Sequence, residues 1–248
     1  MQKNNSQGKV QSSIFAKQSS PRLCRPGTSD FAKASTNKSA DKQKEKVFVK
    51  NQDEKILVVK KNILFSYQTF NGLKKVLFND YQKLINKHKK FLWRSKMEID
   101  FSYKQIIPYL VFSYEDQFFM MKRKNTSSET RLKNKYSLGI GGHIREEDMK
   151  KSSIIDWAKR EFEEEVKYNA SYKVIPVGLL NDERNDVGKV HVGFVFLLKG
   201  NSAKIAIRDE HIEGDLMSMD ECKLLYNQME SWSQIVFDFL KEEQEQKK

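Results

Sequence analysis

The chain has 248 residues and a formal net charge of +12 at pH 7, which predicts one ordinary domain with a basic extension. No apolar stretch approaches the roughly twenty residues that a membrane-spanning helix needs, and no signal-peptide core is present. The two cysteines, Cys24 and Cys222, lie far apart, which excludes a disulfide framework and a cysteine-based metal site. We therefore expect a soluble cytoplasmic protein.

Residues 1–46 are basic and poor in apolar side chains, with ten Lys or Arg against three Asp or Glu. Such a segment cannot bury enough surface to offset its ordering entropy, so we predict a disordered basic N-terminal tail. Its charge attracts nucleic acid or anionic lipid without specificity, and any nucleic-acid contact is expected to be weak. The absence of acids from the first 29 residues also suits an organellar transit peptide.

The folded domain is predicted over 47–240, with a charged C-terminal tail over 241–248. Apolar patterns predict strands at 55–59, 106–113, 117–122, 136–140, 173–180 and 190–198. They predict helices at 70–90, from 153 onward, and at 232–240. This mixture predicts an α/β domain with helices packed over a mixed sheet. Pro176 indicates a sheet edge or a bulge, and the basic cluster at 122–124 indicates a phosphate contact or, slightly favoured, a solvated sheet edge.

A Gly-Gly-His turn at 141–143 precedes a helix that carries four carboxylates within residues 161–165. Because residues i, i+3 and i+4 share a helix face, Glu161, Glu164 and Glu165 point roughly the same way. Like charges on one face repel each other, and a hard cation such as Mg²⁺, which prefers carboxylate oxygens, would relieve that repulsion. A solvated surface helix rich in Glu and Lys is the alternative, but the glycine turn upstream favours a metal site.

Three further features describe this helix. Ser153 and Asp156, three residues apart, predict its start as a variant of the capping box. Arg160 precedes Glu164 by four residues and is placed to hold its carboxylate by a bidentate contact. Glu163 lies off the proposed metal-binding face and is expected to be solvated.

These residues resemble the signature of the Nudix hydrolase family. That signature has a glycine, five residues, an acid, seven residues, and then Arg-Glu-apolar-any-Glu-Glu-any-Gly-apolar. The matching positions here are Gly142, Asp148, Arg160, Glu161, Phe162, Glu164, Glu165 and Tyr168. A branch of the family often labelled predicted phosphoesterase is similar to this chain at 102–109, 135–144, 178–182, 190–196, 213–214 and 230–233. The resemblance thus extends over roughly residues 46–240.

The chain departs from the family signature at two places. Eleven residues rather than seven separate Asp148 from Arg160, which indicates a four-residue insertion near 149–153. Lys167 replaces the late glycine, so we expect the helix to end slightly later, near Asn169. Both departures leave the carboxylate spacing intact.

The resemblance implies an α/β/α sandwich with a mixed sheet and a metal-dependent hydrolase. Its implied reaction is cleavage of a phosphoanhydride in a nucleoside diphosphate linked to another moiety, with Mg²⁺ or Mn²⁺ as cofactor. The implied metal ligands are Glu161, Glu164, Glu165 and the carbonyl of Gly141. The implied catalytic residues are Glu161, Glu164, Glu165 and Arg160. The implied substrate-binding residues are Gly141, Gly142 and His143.

Several assignments stay open at the level of sequence. Glu210 and Glu213 are candidates for the general base, although ordinary solvated loop acids are the more frequent reading of such residues. His143 either contacts phosphate or serves as a structural hydrogen-bond partner, and His191, in an apolar strand, is expected to be a core residue. Substrate specificity is expected from the loop at 181–188 and from the insertion, neither of which has a readable pattern.

Two other functions compete with hydrolysis. One is a nucleotide-sensing module of Nudix type with little catalytic activity, whose basic tail contacts nucleic acid. The other is the isomerase branch of the same fold, which acts on isoprenoid diphosphates and pairs a catalytic cysteine with a glutamate. No cysteine lies near the glutamate run in sequence, which disfavours the isomerase.

Overall fold

The computed structural model describes residues 53–65, 69–123, 134–148, 153–208 and 211–246. The strands are β1 (Lys55–Lys60), β2 (Gly72–Lys74), β3 (Lys90–Trp93), β4 (Tyr103–Tyr114), β5 (Gln117–Arg123), β6 (Tyr136–Ser137), β7 (Ile140–Gly141), β8 (Val166–Tyr168), β9 (Tyr172–Asn181), β10 (His191–Gly200), β11 (Ile205–Ile207) and β12 (His211–Ser218). The helices are α1 (Lys61–Leu64), α2 (Phe78–His88), α3 (Arg94–Met97), α4 (Ile154–Glu165), α5 (Asp186–Val190), α6 (Met219–Leu224) and α7 (Ser231–Glu245). The predicted tail at 1–46, most of the predicted insertion, Lys124 and Glu210 lie outside the described residues.

Ten of the strands form one mixed sheet, as predicted. Its main path runs β12-β5-β4-β10-β9-β2, while β1 joins β3 to β4, β6 joins β5 and β7 joins β4. Strands β4 and β10 run parallel, and the other pairs in this path are antiparallel. A separate two-stranded sheet pairs β8 with β11.

Strand β4 is buried on both faces and divides the interior into two cores. Its alternating side chains point to opposite sides of the sheet. Leu110 and Phe112 pack with apolar residues of α2 and α4, whereas Tyr109 and Val111 pack with those of α6 and α7. Helices therefore cover both faces of the sheet, which confirms the predicted α/β/α arrangement.

Helix α4 begins as predicted and ends earlier than predicted. The Ser153 hydroxyl accepts a hydrogen bond from the Asp156 amide at 3.2 Å, and the Asp156 carboxylate accepts one from the Ser153 amide at 3.0 Å. The helix ends at Glu165, because Val166 is extended (φ −127°, ψ 156°) and begins β8. The expected continuation towards Asn169 is therefore wrong: strand pairing with β11 takes over the segment where the family has a glycine.

Two other helix boundaries differ from the sequence prediction, a bulge is present and one predicted sheet edge is absent. The helix predicted at 70–90 begins only at Phe78, since residues 72–74 pair with β9 instead. The closing helix α7 continues to Glu245, into the segment predicted as a charged tail. The register of β9 against β10 shifts beside Pro176, which confirms a bulge there. The solvated edge predicted for the cluster at 122–124 is wrong for Arg123, because β12 pairs with β5 up to this residue.

Within the described ranges, no helix combines the length and the apolar character that crossing a bilayer requires.

Candidate active site

The glycine turn between β7 and the loop before α4 lies directly against the carboxylate-bearing face of α4. A Cβ atom added at Gly142 would overlap Oε1 of Glu161, and it would approach the Trp157 ring at 3.4 Å. Because glycine has no side chain, the backbone comes close enough to contact the Glu161 carboxylate. The resemblance to the Nudix signature implied that this glycine turn lies beside the carboxylates.

The three glutamates on one face of α4 act on each other electrostatically. Glu161 is half-buried, Glu164 is exposed and Glu165 is half-buried. Burial raises the pKa of Glu161 to about 7, and the negative charges of Glu165 and Glu164 add to this rise. The nearby guanidinium groups of Arg160 and Arg145 oppose it. The face therefore concentrates negative charge around one carboxyl that ionises with difficulty.

Arg160 joins this face to the loop before the helix. Its Nη2 atom lies 2.8 Å from Oδ1 of Asp148, and its Nε atom lies 3.5 Å from Oε1 of Glu164. Asp148 is buried and also accepts hydrogen bonds from the Trp157 indole at 3.2 Å and the Arg145 amide at 2.9 Å. Burial alone would raise the pKa of Asp148, but the Arg145 and Arg160 hydrogen bonds bring it below its ordinary value.

These donors suit a hard divalent cation. The side-chain donors of the face are carboxylate oxygens, the ligands that Mg²⁺ and Mn²⁺ prefer. Burial and the neighbouring carboxylates raise the pKa of Glu161, and a bound cation would favour its ionised form. Glu161, Glu164 and Glu165 are the residues that could hold such an ion, with the carbonyl of Gly141 on the adjoining turn.

A cavity of about 500 Å³ opens beside the same glycine turn. The predicted substrate-binding residues Gly141, Gly142 and His143 all line it. Three residues of the predicted specificity loop line it as well, namely Asn185, Val187 and Gly188. Among the described residues, the α4 glutamates are not part of its lining, so the turn separates the cavity from the carboxylate face.

Hydrogen bonds fix the two histidines that line this cavity. The Nδ1 atom of His191 donates to the Val187 carbonyl at 2.7 Å, which leaves its Nε2 atom as an acceptor. The Nε2 atom of His143 lies 3.2 Å from that acceptor and 2.7 Å from Oε1 of Gln105, so it carries the proton. The Gln105 amide is oriented by its own hydrogen bond to the Met97 carbonyl at 3.2 Å.

Both imidazoles are neutral near pH 7. Burial lowers the pKa of His143 well below its ordinary value, and the positive charge of Arg94 and the neighbouring His191 ring contribute. Burial also lowers the pKa of His191, although its hydrogen bond to Val187 opposes the effect. His191 is buried, as predicted, and it also lines the cavity.

A buried carboxylate that the sequence analysis did not single out forms part of the opposite wall. Oε1 of Glu230 accepts hydrogen bonds from Tyr109 at 3.0 Å, Ser137 at 2.7 Å and Ser233 at 3.2 Å. Arg123 lies 3.8 Å from its other oxygen and also lines the cavity. This network ties α7 to β4 and β6, because its members come from all three elements.

The candidates for the general base stay predictions. Glu213 pairs with Lys122 at 3.3 Å and accepts from the Tyr136 hydroxyl at 3.4 Å, and it is not among the described residues that line the cavity.

Glu98 and Arg94 do line the cavity but were missed, because they lie around a one-turn helix that has no periodic pattern.

Comparison with known proteins places this geometry in a family. Protein YmaB of Bacillus subtilis strain 168 is 35% identical over 202 residues, which cover 76% of this chain and 98% of YmaB. The crystal structure of Tm1382, a proposed Nudix hydrolase, is 32% identical with a TM-score of 0.64, covering 75% of this chain and 98% of Tm1382. No protein-family model matches the chain.

A more distant structure is the MutT protein of Methanosarcina mazei Go1, at 19% identity and a TM-score of 0.43. It covers 57% of this chain and 95% of that chain, and the likeness is too weak to bear on function. The likeness to Tm1382 is stronger, because both the sequence identity and the shared fold extend over nearly the whole length of Tm1382. The chain therefore belongs to the Nudix hydrolase family.

Proposed function

We propose that this protein is a metal-dependent hydrolase that cleaves a phosphoanhydride bond in a nucleoside diphosphate linked to another moiety. One observation carries the proposal: the Glu161 carboxylate lies against the Gly142 backbone, while burial and then the charges of Glu165 and Glu164 raise its pKa. A negative face of this kind, beside a glycine turn that also lines a cavity, suits a cation and a diphosphate together.

In this proposal Glu161, Glu164, Glu165 and the Gly141 carbonyl would hold Mg²⁺ or Mn²⁺. Such an ion neutralises charge on a diphosphate and lowers the pKa of bound water. Arg160 orients Glu164, because its guanidinium is itself anchored on the buried Asp148.

The cavity would hold the rest of the substrate. Three basic residues, Arg94, Arg123 and Lys135, line it and would attract an anionic ligand. Trp232 supplies an aromatic surface in the same lining. Gly141, Gly142 and His143 would contact the ligand at the side that faces α4, where the phosphates would meet the carboxylate face.

Purified full-length protein should be screened with Mg²⁺ or Mn²⁺ against nucleotide sugars, dinucleoside polyphosphates, NAD, ADP-ribose and nucleoside triphosphates. We expect Glu164→Gln and Glu165→Gln each to lower turnover of the active substrate at least about 100-fold, since each removes a metal-binding charge. The melting temperature of Glu164→Gln should stay close to that of the unmodified protein, because Glu164 is exposed and its ion pair with Arg160 contributes at most about 1 kcal/mol.

Glu163→Gln is the matched control. Glu163 lies on the same helix, is exposed, and accepts a hydrogen bond from the Tyr172 hydroxyl at 3.2 Å rather than facing the glycine turn. Its turnover should stay near normal. Near-normal activity of Glu164→Gln and Glu165→Gln would refute the site, and ligand-induced stabilisation without any turnover would support the nucleotide-sensing module instead.

A further inference from the structure

We propose that Glu98, His143 and His191 form a second metal site, for a divalent transition ion such as Zn²⁺, in the wall of the cavity. The site uses none of the α4 glutamates. It does not depend on whether the protein is a hydrolase, because its test measures metal binding rather than turnover.

The donor atoms of the three residues lie close together. One ligand atom from each of the three residues lies within 4.8 Å of the others. The two Nε2 atoms of the histidines are 3.2 Å apart. In a tetrahedral zinc site, two Zn–N bonds of about 2.05 Å place their nitrogen atoms about 3.3 Å apart. The two nitrogen atoms therefore already have the separation that one ion requires, and each ring would tilt so that both lone pairs point at the ion.

The surroundings of His191 hold it in the form that a metal requires. Its Nδ1–H group donates to the Val187 carbonyl at 2.7 Å, so the lone pair of Nε2 points away from the backbone and towards His143. Metal-binding histidines almost always have this arrangement, in which a carbonyl or carboxylate fixes the other ring nitrogen.

His143 can join by a change of tautomer. Its proton now lies on Nε2, between Gln105 and His191, and would move to Nδ1 when the ion takes its place. No net proton is released, since the imidazole is neutral before and after. Oε1 of Gln105, 2.7 Å from the ligand nitrogen, would then lose its donor and face the cation, which an amide oxygen tolerates well.

Charge at the site permits a cation. Glu98 supplies a negative charge and is exposed at the cavity. Arg94 lies 3.3 Å from Glu98, but it is also paired with Glu54 at 3.0 Å, which offsets its positive charge.

The mixed donor set selects the class of metal. Two imidazoles and one carboxylate suit Zn²⁺, Co²⁺ or Ni²⁺ rather than Mg²⁺, which prefers oxygen ligands. Three protein ligands also leave a coordination position free, as in metal sites that bind a further ligand. All three residues line the cavity, so an anionic group of a bound molecule would reach the ion from there.

The test should separate this site from the α4 glutamates. Full-length protein carrying Glu161→Gln, Glu164→Gln and Glu165→Gln would be titrated with Zn²⁺ in competition with a chromophoric chelator, and with Co²⁺ by visible absorption. The unmodified chain in excess Mg²⁺ would be titrated in parallel, in case the triple variant is unstable. We expect one Zn²⁺ site to persist in both and Co²⁺ to give the absorption of a site of low coordination number.

Two single changes then assign the ligands. Glu98→Gln and His143→Gln should each weaken Zn²⁺ binding by more than about tenfold. The loss of an outer-shell partner alone already weakens metal binding by about that factor. Glu98 is exposed, so its variant should fold normally. His88→Gln, at the end of α2, is the matched histidine control and should leave the affinity unchanged. Equal affinity in the Glu98 and His143 variants, or loss of all Zn²⁺ binding with the α4 glutamates removed or masked by Mg²⁺, would overturn the site.

Discussion

Glu161 is the residue whose ionisation links folding to the proposed chemistry. Burial, followed by the charges of Glu165 and Glu164, raises its pKa to about 7 from an ordinary value of 4.5. Between these values the native state binds more protons than the unfolded state, so stability falls as pH rises. The cost of ionising Glu161 is therefore fully present above pH 7, in the range where a metal would bind.

We predict that Glu161→Gln stabilises the metal-free protein at pH 8, on the order of 2 kcal/mol, because the glutamine carries no charge to bury. The difference should shrink towards zero as the pH falls to 4.5, where the native carboxyl is already protonated. Urea unfolding with a chelator present, across this pH range, measures it. A pH-independent difference between the two proteins would contradict the assigned pKa.

A second prediction concerns the contact between the glycine turn and α4. Gly142→Ala places a Cβ atom on Oε1 of Glu161 and must displace that carboxylate, whereas the Cβ of Gly141→Ala meets Ile107 at 3.2 Å and Tyr109 at 3.3 Å. If turnover is found, Gly142→Ala should lower it on the order of 100-fold, as expected for a misplaced catalytic group.

Gly141→Ala is the control for this turn, and its loss should be much smaller because its neighbours need to move only slightly. Measuring turnover and melting temperature together separates a displaced carboxylate from a damaged fold. Equal losses of turnover in the two variants would show that the turn tolerates no side chain at either position, and not that Glu161 is the sensitive group.

At the level of elements, the start of α4 was predictable and its end was not. The capping box is local, because Ser153 and Asp156 lie only three positions apart. The end at Glu165 depends on the pairing of Val166–Tyr168 with Ile205–Ile207. No local sequence pattern predicts a strand partner that far along the chain. The same reasoning applies to β2, whose partner is β9.

Ser153→Ala should lower the free energy of unfolding by about 1 kcal/mol, because the Asp156 amide loses its acceptor. Ser218→Ala is a matched change, since Ser218 caps α6 through the same reciprocal pair with Glu221. Urea denaturation should give similar losses for both. If α4 carries the metal-binding carboxylates, only Ser153→Ala should also weaken the binding of Mg²⁺. An equal effect of Ser218→Ala on Mg²⁺ binding would argue against that role.

At the scale of the whole molecule, periodicity predicted the sheet and its two covering layers but not the cavity. The continuous buried run of β4 and the apolar stripe of α4 each extend over many residues, so they are visible in sequence. Glu98, His143 and His191 come from three separate segments and share no spacing. The glycine turn and the glutamates were found because they lie within one short motif. The cytoplasmic location and the role of the basic tail stay predictions.

Lys104 joins two distant parts of the chain, and we predict a large loss of stability when it is replaced. It is fully buried, donates to the carbonyls of Gly188 at 2.8 Å and His191 at 3.3 Å, and pairs with Glu183 at 3.1 Å. Lys104→Met leaves the two carbonyls without their donor and Glu183 with Lys61, at 2.8 Å, as its remaining cation, which should cost about 3 kcal/mol in urea unfolding.

The contrasting change is Lys75→Met. Lys75 is exposed and pairs with Glu243 at 2.7 Å, so its replacement should change stability by less than about 1 kcal/mol. Similar losses in the two variants would mean that burial of Lys104 contributes nothing beyond an ordinary surface ion pair.

The parallel pairing of β4 with β10 has a consequence for how the protein is made. Residues 105–113 of β4 pair with residues 191–199 of β10, so this edge of β4 stays unpaired until the ribosome has made β10. At a synthesis rate of about 5–20 residues per second, the ribosome needs on the order of 10 s to produce the intervening chain. During that interval an apolar strand has an open edge, so a nascent chain stalled between the two strands should be a preferred client of chaperones and a source of aggregation.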